Sequence, residues 1–438
     1  MSFARQLIKK HSVTKGFSKW LKRQNFYKAK HKRFSGLIAS LKHRTALKQL
    51  KHADLPLNVV FMVFHASIWK FDRLYWKMLA SKEFNPVIVI CPYVLMGNDV
   101  MNKDMNAAFD WYQTNNYNVL KGIDEGNILD IKSQLKPDLM VFTNPHKLTM
   151  ERFYAPHFID VLSIYVPYGH QVCHYKNYQP QYNQVFHNIM WKIFTTNELD
   201  KQIFVDFNEK RGKNVVVSGY PGVDNLIDKT YVPKNVWKKQ TSKMKKVIWA
   251  PHQTIEPTDE IYWGTFLQYA ETIRDLTIEF ADTIQFSMKP HPFLRHRLNK
   301  HPGWGVEKTQ AYYEFWENSE NTQLNEVDYI DLFLQSDALI HDSGSFLAEY
   351  LYTNKPALYM LAGDHVVDSL SPLGKMALNS HRLAYNSEAI RDFLLTTVLS
   401  GDDEMQETRS KFVSEHLKCS EQVPSEFIYE FLTDKMLS

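Results

Sequence analysis

Cysteine is scarce. Cys91, Cys173 and Cys419 are the only three in 438 residues, and no two form a C-x-x-C pair. That argues against a structural zinc site or a disulfide framework and fits a reducing compartment. Long apolar runs are missing as well: the richest stretches, 57–64 and 86–96, are strand-length, far short of the roughly 18 to 20 residues that span a bilayer. The basic N-terminus has no continuous apolar core of a secretory leader, because Lys9, Lys10, Lys15, Lys19, Lys22 and Arg23 interrupt it. The expectation is a cytoplasmic chain that does not cross a membrane. There is no G-x-x-x-x-G-K-[ST] loop, strand-linked G-x-G-x-x-G, H-E-x-x-H or G-x-S-x-G, so kinase, dehydrogenase, zincin and hydrolase readings lose their main support. The lack of D-x-D leads to the expectation of a reaction that uses no metal and no cofactor.

Acid is absent from the first 53 residues, which carry 15 Lys or Arg, while the rest holds 37 basic against 48 acidic residues, a formal −11. Phe3, Leu7, Ile8, Phe17, Trp20, Leu21, Phe26 and Tyr27 are interleaved with the cations, and Leu37, Ile38, Leu41, Leu47 and Leu50 continue at near-helical spacing. One or two basic amphipathic helices are expected. Such a segment suits an anionic membrane surface, each cation contributing about 1 kcal/mol. Phe3, Phe17 and Trp20 would then be shallow anchors among Lys9, Lys10, Lys22 and Arg23. A solvated arm, a helix packed on the acidic body and a nucleic-acid arm are the competing uses; the expectation taken is the membrane face, with no nucleic-acid partner.

With 44% hydrophobic and 14% aromatic residues, the body holds core material for two or three domains. Runs at 57–64, 86–90, 139–143, 161–166, 193–196 and 215–219 alternate with helix-length amphipathic segments, the pattern of a parallel sheet covered on both faces. A Lys-rich stretch with little periodicity follows. The pattern restarts with strands at 247–250, 284–288, 338–341 and 357–360 and helices at 262–281, 329–335 and 345–352. Two doubly wound, Rossmann-like α/β domains facing a central cleft are expected. The expected division is a basic helical extension (1–53), a first Rossmann-like domain (54–228), a linker (229–246), a second Rossmann-like domain (247–400) and C-terminal helices (401–438).

Three strand ends carry the chemistry. In SDALIHDSGSFLAEYLYTNKPALYM, a buried strand ends at His341 and Asp342, turns through Ser343, Gly344 and Ser345, and enters a helix. Free N–H groups there and the two hydroxyls suit a phosphate, with Gly344 admitting it to the backbone; a plain N-cap is the alternative. Glu349, one turn on, could take a ribose or simply face solvent. Lys289-Pro290-His291-Pro292 holds His291 rigidly at a second strand end, where it could serve a phosphate oxygen or be structural. His170 follows the 161–166 strand in the first half. Two opposing histidines suit a general base and a stabiliser of a leaving phosphate, although 18 histidines, His174, His187, His252, His296 and His301 among them, dilute the choice.

The order of these segments resembles the CDP-glycerol glycerophosphotransferase family, the membrane-associated teichoic-acid primases and polymerases of GT-B fold, over roughly residues 160–365. The family's W-H-G-T-P-L-K element looks like the stretch from Tyr168 to Lys176, and its G-Y-P-R-N-D element like Gly219-Tyr220-Pro221-Gly222-Val223-Asp224. Its R-x-H-P strand end resembles Met288 to Pro292, and its S-D-x-L-I-T-D-Y-S-S-x-x-x-D-Y element Ser336 to Tyr350. By this resemblance His170 falls on the proposed catalytic base, and Asp342, Ser345, Glu349 and Tyr350 on the D, second S, D and Y. Ser343, Gly344, Glu349, Lys289 and the 171–173 stretch depart from the pattern. The D-S-G-S-F-x-x-E-Y form also looks like capsule and lipopolysaccharide glycosyltransferases and, more distantly, UDP-N-acetylglucosamine 2-epimerases. The resemblance implies a GT-B transferase on the inner membrane face, moving glycerol phosphate or a sugar from a nucleotide-activated donor such as CDP-glycerol to a hydroxyl of a polymer or lipid-linked glycan. His170 and His291 would be catalytic; Lys289, Asp342, Ser343, Gly344, Ser345 and Glu349 would bind the donor. A sugar-nucleotide epimerase and a non-catalytic membrane- or polyanion-binding protein are the rivals.

Overall fold

In the 57–64 run every second residue is needed on a different face. It forms β1 (Leu57–Val63), with Leu57, Val59, Phe61 and Val63 in one core and Val60 and Met62 in the other; a strand buried on both sides reads as continuous hydrophobicity. The computed structural model describes residues 3–174, 178–257, 262–326, 329–419 and 422–438, with side chains from Tyr27 onward apart from Met96. β1 sits centrally in a seven-stranded parallel sheet with β2 (Phe84–Ile90), β3 (Val119–Lys121), β6 (Leu139–Phe142), β7 (Leu162–Tyr165), β8 (Lys192–Thr195) and β9 (Val215–Val217), in the order β3-β2-β1-β6-β7-β8-β9. A small hairpin, β4 (Ile123–Asp124) and β5 (Asn127–Ile128), stands apart.

The second sheet repeats the plan. β10 (Lys245–Ala250), β11 (Ile284–Met288), β12 (Thr322–Leu324), β13 (Ala338–His341), β14 (Ala357–Met360) and β15 (Arg382–Ala384) pair in parallel in the order β12-β11-β10-β13-β14-β15. Each sheet reverses direction of winding beside its first strand, and ligand crevices form at the carboxyl ends of strands near such a switch. Val247 and Trp249 face one core, where Trp249 stacks on Phe266 at 5.6 Å; Ile248 and Ala250 face the other. That second core also takes in Val172, Cys173, Tyr220, Val223 and Leu226 from the first half, so apolar packing is continuous across the two sheets.

Three stretches take a more definite form than the sequence gives them. The 229–246 stretch, expected as the linker, is anchored: β10 begins at Lys245, Trp237 is buried, and Lys238 is pinned to the second sheet through Gln323 Oε1 (2.6 Å) and Gln285 Nε2 (2.7 Å). The expected 345–352 helix is a single α-turn, Phe346–Glu349, that tightens into a 3-10 turn, Tyr350–Thr353, and stops at Asn354 in the left-handed region (φ 55°). Within the C-terminal helices, Pro424–Leu437 returns to the first sheet, burying Ile428, Leu432 and Met436 against Leu57 and Phe84.

The basic segment is one helix, α1 (Phe3–Leu50). Gly36, Ala39, His43 and Leu50 form its inner face. At Gly36 a Cβ would stand 2.8 Å from the Asn188 carbonyl, so only glycine allows this approach. The outer face leaves Tyr27, Phe34, Leu37 and Leu41 exposed beside Lys30, Arg44 and Lys48. The side chains of Phe3, Lys9, Lys10, Phe17, Trp20, Lys22 and Arg23 lie outside the described residues. No helix among the described residues is long and apolar enough to cross a membrane.

Candidate active site

His170 lies just beyond β7, at the carboxyl edge of the first sheet, and its ring is held on every side. Nδ1 is 3.0 Å from Thr196 Oγ1, beyond the end of β8, and Nε2 is 3.3 Å from the Tyr352 hydroxyl, which comes from the second half. The imidazole stacks on Tyr352 and meets Tyr220 edge-on, with centroids at 5.8 and 5.0 Å. Burial pushes its pKa down to about 3, so it is neutral at pH 7. Thr196 Oγ1 lies 3.1 Å from Asp200 Oδ2, the acid in the first turn of helix Glu198–Phe207, whose own pKa burial raises to about 6.

The loop after His170 is clamped to the second half. His174 N–H donates to the Ser369 carbonyl (3.0 Å), Ser371 N–H to the Val172 carbonyl (2.8 Å) and Ser371 Oγ to the Gln171 carbonyl (2.8 Å). Cys173 and Leu370 form an isolated antiparallel bridge.

The second histidine site gathers β10, β11 and β13. His291 follows β11; Lys289 is buried beside it; His252, beyond β10, lies with its ring centroid 5.1 Å from that of His291. Nδ1 of His291 accepts the Phe293 N–H at 3.2 Å, which leaves Nε2 to carry the proton. Burial, with Lys289 and Arg297 adding, lowers its pKa to about 4; burial lowers that of His252 to about 3.

Asp342, expected at the donor, is tied into the fold. Its carboxylate is fully buried and accepts from His252 N–H (2.6 Å) and from the N–H and hydroxyl of Thr265 (2.6 and 2.8 Å). It braces the strand ends against each other. Ser343 N–H is likewise occupied, by His341 Nδ1 at 3.3 Å, so the turn offers fewer backbone donors than its sequence promised. Ser345 is exposed and makes no side-chain cap, against the N-cap alternative; beside it, Gly344 has only Trp263 within reach of a Cβ, at 3.5 Å. Glu349 is buried, not solvent-facing: it accepts from the Tyr329 hydroxyl, and Lys70 of the first half sits 4.8 Å over the Tyr329 ring. Burial raises its pKa, opposed by Lys70 and Tyr329.

The two sets are therefore distinct: His170 with Thr196, Tyr220 and Tyr352; His291 with His252, Lys289 and the Asp342 brace. Sequence reasoning missed Thr196, Asp200, Tyr352, Lys70 and Thr265. A signal existed for the first two, since Thr196-Asn197-Glu198-Leu199-Asp200 follows a third apolar strand, but the motif reads equally as an ordinary helix start.

Two parallel Rossmann-like sheets with histidines at their carboxyl edges define a GT-B-like protein. Solved structures with this fold include the wall teichoic acid polymerase TagF, at 14% identity over 96% of this chain and 98% of that one, with a TM-score of 0.57. A UDP-N-acetylglucosamine 2-epimerase matches at 15% identity over 87% and 96%, with a TM-score of 0.56. At such identities the likeness concerns the fold alone. The sequence goes further: residues 170–433 match the CDP-glycerol:poly(glycerophosphate) glycerophosphotransferase family, and the chain belongs to it. Relatives include the teichoic acid ribitol-phosphate polymerases TarK and TarL of Staphylococcus aureus (strain NCTC 8325 / PS 47), 25% and 26% identical over 192 residues, or 41% of this chain. The chain matches 33% and 30% of their respective lengths, so it spans about a third of the curated relatives it matches.

Proposed function

We propose that this protein transfers glycerol phosphate, or a related polyol phosphate, from a CDP-activated donor to a hydroxyl of a cell-envelope polymer or lipid-linked glycan. The observation that carries the reading is His170: neutral, tied at Nδ1 to Thr196, with Nε2 meeting the Tyr352 hydroxyl at 3.3 Å, and standing at the first residue of the family match. In this reading Nε2 takes the proton of the acceptor hydroxyl as its oxygen attacks the phosphorus that bears glycerol. The bond from that phosphorus to the bridging oxygen breaks, and CMP leaves with the electron pair. His291, through Nε2–H, and Lys289 neutralise charge gathering on the pyrophosphate; Ser343, Gly344 and Ser345 form the turn against which it rests, and Glu349 holds the nucleoside end. A TagF structure described as soaked with CDPG shares the fold, at 13% identity and a TM-score of 0.52.

The division into an acceptor half and a donor half follows the same reading, with the 229–246 stretch as connector and helix Pro424–Leu437 assigned to the acceptor half. The outer face of α1, apolar and basic together, supports a place on the anionic cytoplasmic face of a membrane. CMP release from CDP-glycerol tests the function: it should require an acceptor and fall by at least about 100-fold in His170→Ala. Turnover of UDP-N-acetylglucosamine without acceptor would favour an epimerase, and acceptor-dependent use of a nucleotide sugar a glycosyltransferase.

A further inference from the structure

The hydrogen bonds behind His170 can be assigned proton by proton. Thr196 Oγ1 has one proton and two lone pairs. Asn197 Nδ2 donates to it at 2.8 Å, and the Asp200 carboxylate, an acceptor, takes its proton at 3.1 Å. The contact left, 3.0 Å to His170 Nδ1, must then have the imidazole as donor. Nδ1 carries the proton and Nε2 is the bare nitrogen. The Tyr352 hydroxyl, 3.3 Å from Nε2, also lies 3.2 Å from the Leu417 carbonyl, so it has a second acceptor when Nε2 turns to a substrate.

Asp200 is 2% exposed and receives three side-chain donors, from Thr196, Asn197 (3.0 Å) and Tyr182 (2.9 Å). No Lys or Arg among the described residues forms a salt bridge with it. A buried carboxylate without a cation is costly to keep, and the helix start it occupies repays only part. Its remaining line of contact runs through one hydroxyl to the ring that needs a positive charge during catalysis. Among the described residues the phenols of Tyr220 and Tyr352 also face that ring, while the Cys419 thiol donates to the Thr196 carbonyl at 3.1 Å.

We propose that Thr196 and Asp200 are positioning residues for His170: through Thr196 Oγ1 the Asp200 carboxylate fixes the Nδ1–H tautomer, presents Nε2 to the acceptor hydroxyl and stabilises the imidazolium formed as the proton arrives. The proposal rests on His170 being the base. The proton goes from acceptor oxygen to Nε2, and Nδ1–H stays on nitrogen, hydrogen-bonded to Thr196.

Two readouts on the full-length protein test it. The first needs no substrate: nitrogen chemical shifts of ¹⁵N-histidine-labelled protein, with His170→Ala used to assign the signals. Wild type and Thr196→Ser should show His170 as the Nδ1–H form, and Thr196→Val a mixture of tautomers; a mixture in wild type, or an unchanged tautomer in Thr196→Val, overturns the proposal whatever the donor proves to be. The second is CMP release from CDP-glycerol with a synthetic glycerol phosphate-primed lipid acceptor. Thr196→Val should lower kcat by about 10- to 100-fold with KM for CDP-glycerol nearly unchanged, and Thr196→Ser should recover most of it. Asp200→Asn should move the acid limb of the kcat profile to lower pH, because the imidazolium loses its stabilising charge. Inactive His170→Ala beside a fully active Thr196→Val sinks the relay alone; fully active His170→Ala sinks the relay and the base together.

Discussion

Gly374 packs its backbone tightly against the loop after His170. A Cβ there would lie 2.1 Å from the Val172 carbonyl oxygen, 3.0 Å from its carbon and 3.0 Å from Leu370 Cδ2. Backbone, unlike the tip of a flexible side chain, cannot step aside, so Gly374→Ala must move the segment carrying Ser369 and Ser371 away from the loop after His170 by about an ångström. Three hydrogen bonds span that seam: His174 to Ser369, Ser371 to Val172 and Ser371 to Gln171. At about 1 kcal/mol each their loss costs about 3 kcal/mol. For 438 residues the unfolding entropy is about 0.9 kcal/mol per kelvin, so the midpoint of thermal unfolding should fall by about 3 °C. Gly169→Ala is the control: it adjoins His170, yet nothing lies within 4 Å of its Cβ, and its midpoint should move by less than about 1 °C. Scanning calorimetry on the three proteins decides. Equal midpoints for Gly374→Ala and wild type would refute the argument that the seam is tight.

Acid should destabilise the fold. Burial lowers His43, His291 and His381 to about 4 and His170, His187 and His252 to about 3, with His341 also well down. The unfolded chain therefore binds more protons below pH 6.5, and each such group withdraws up to about 1.4 kcal/mol per pH unit between 6.5 and its lowered value. Asp200 and Asp342, raised to about 6, and Asp224, raised to about 7, work the opposite way as pH falls through those values, but they are fewer. The thermal midpoint should drop steadily from pH 7 to pH 5; a rise over that interval would contradict the burial assignments. On α1, replacing Phe34, Leu37 and Leu41 together by Gln should weaken sedimentation with liposomes rich in phosphatidylserine while leaving the thermal midpoint alone, since all three are more than half exposed. Undiminished co-sedimentation would remove this face as the anchor.

The long buried strands were legible because runs rich in apolar residues survive burial on both faces, nearly unbroken in β1, β13 and β14 and alternating with Gln285 and Ser287 in β11; all four lie within a residue of their runs. The three-residue edge strands β3, β12 and β15 were not, because three residues carry no period. His170 and His291 could be found as polar residues directly after apolar strands. Tyr352 could not, since it reaches His170 across 182 residues of sequence and through a turn that reads as the buried end of a helix. The internal partners of Asp342 were hidden for another reason: two of them, the backbone N–H groups of His252 and Thr265, leave no trace in side-chain identity, and the third, the Thr265 hydroxyl, lies 77 residues away. The anchoring of the 229–246 stretch is hidden for a similar reason: Lys238 is held through its main chain.

Helix Pro424–Leu437 closes a wall of the first half's core, with Ile428, Leu432 and Met436 fully buried there and Lys77 paired to Glu426. In the growing chain that wall arrives roughly 200 residues after β9, the last strand of the sheet it covers. At 5 to 20 residues per second the ribosome needs about 10 to 40 s to make the interval. Throughout that time the first half exposes an apolar face, beside Leu57 and Phe84, that nothing yet synthesised can cover. The order of translation thus sets an interval in which this face of the first half waits for its cover.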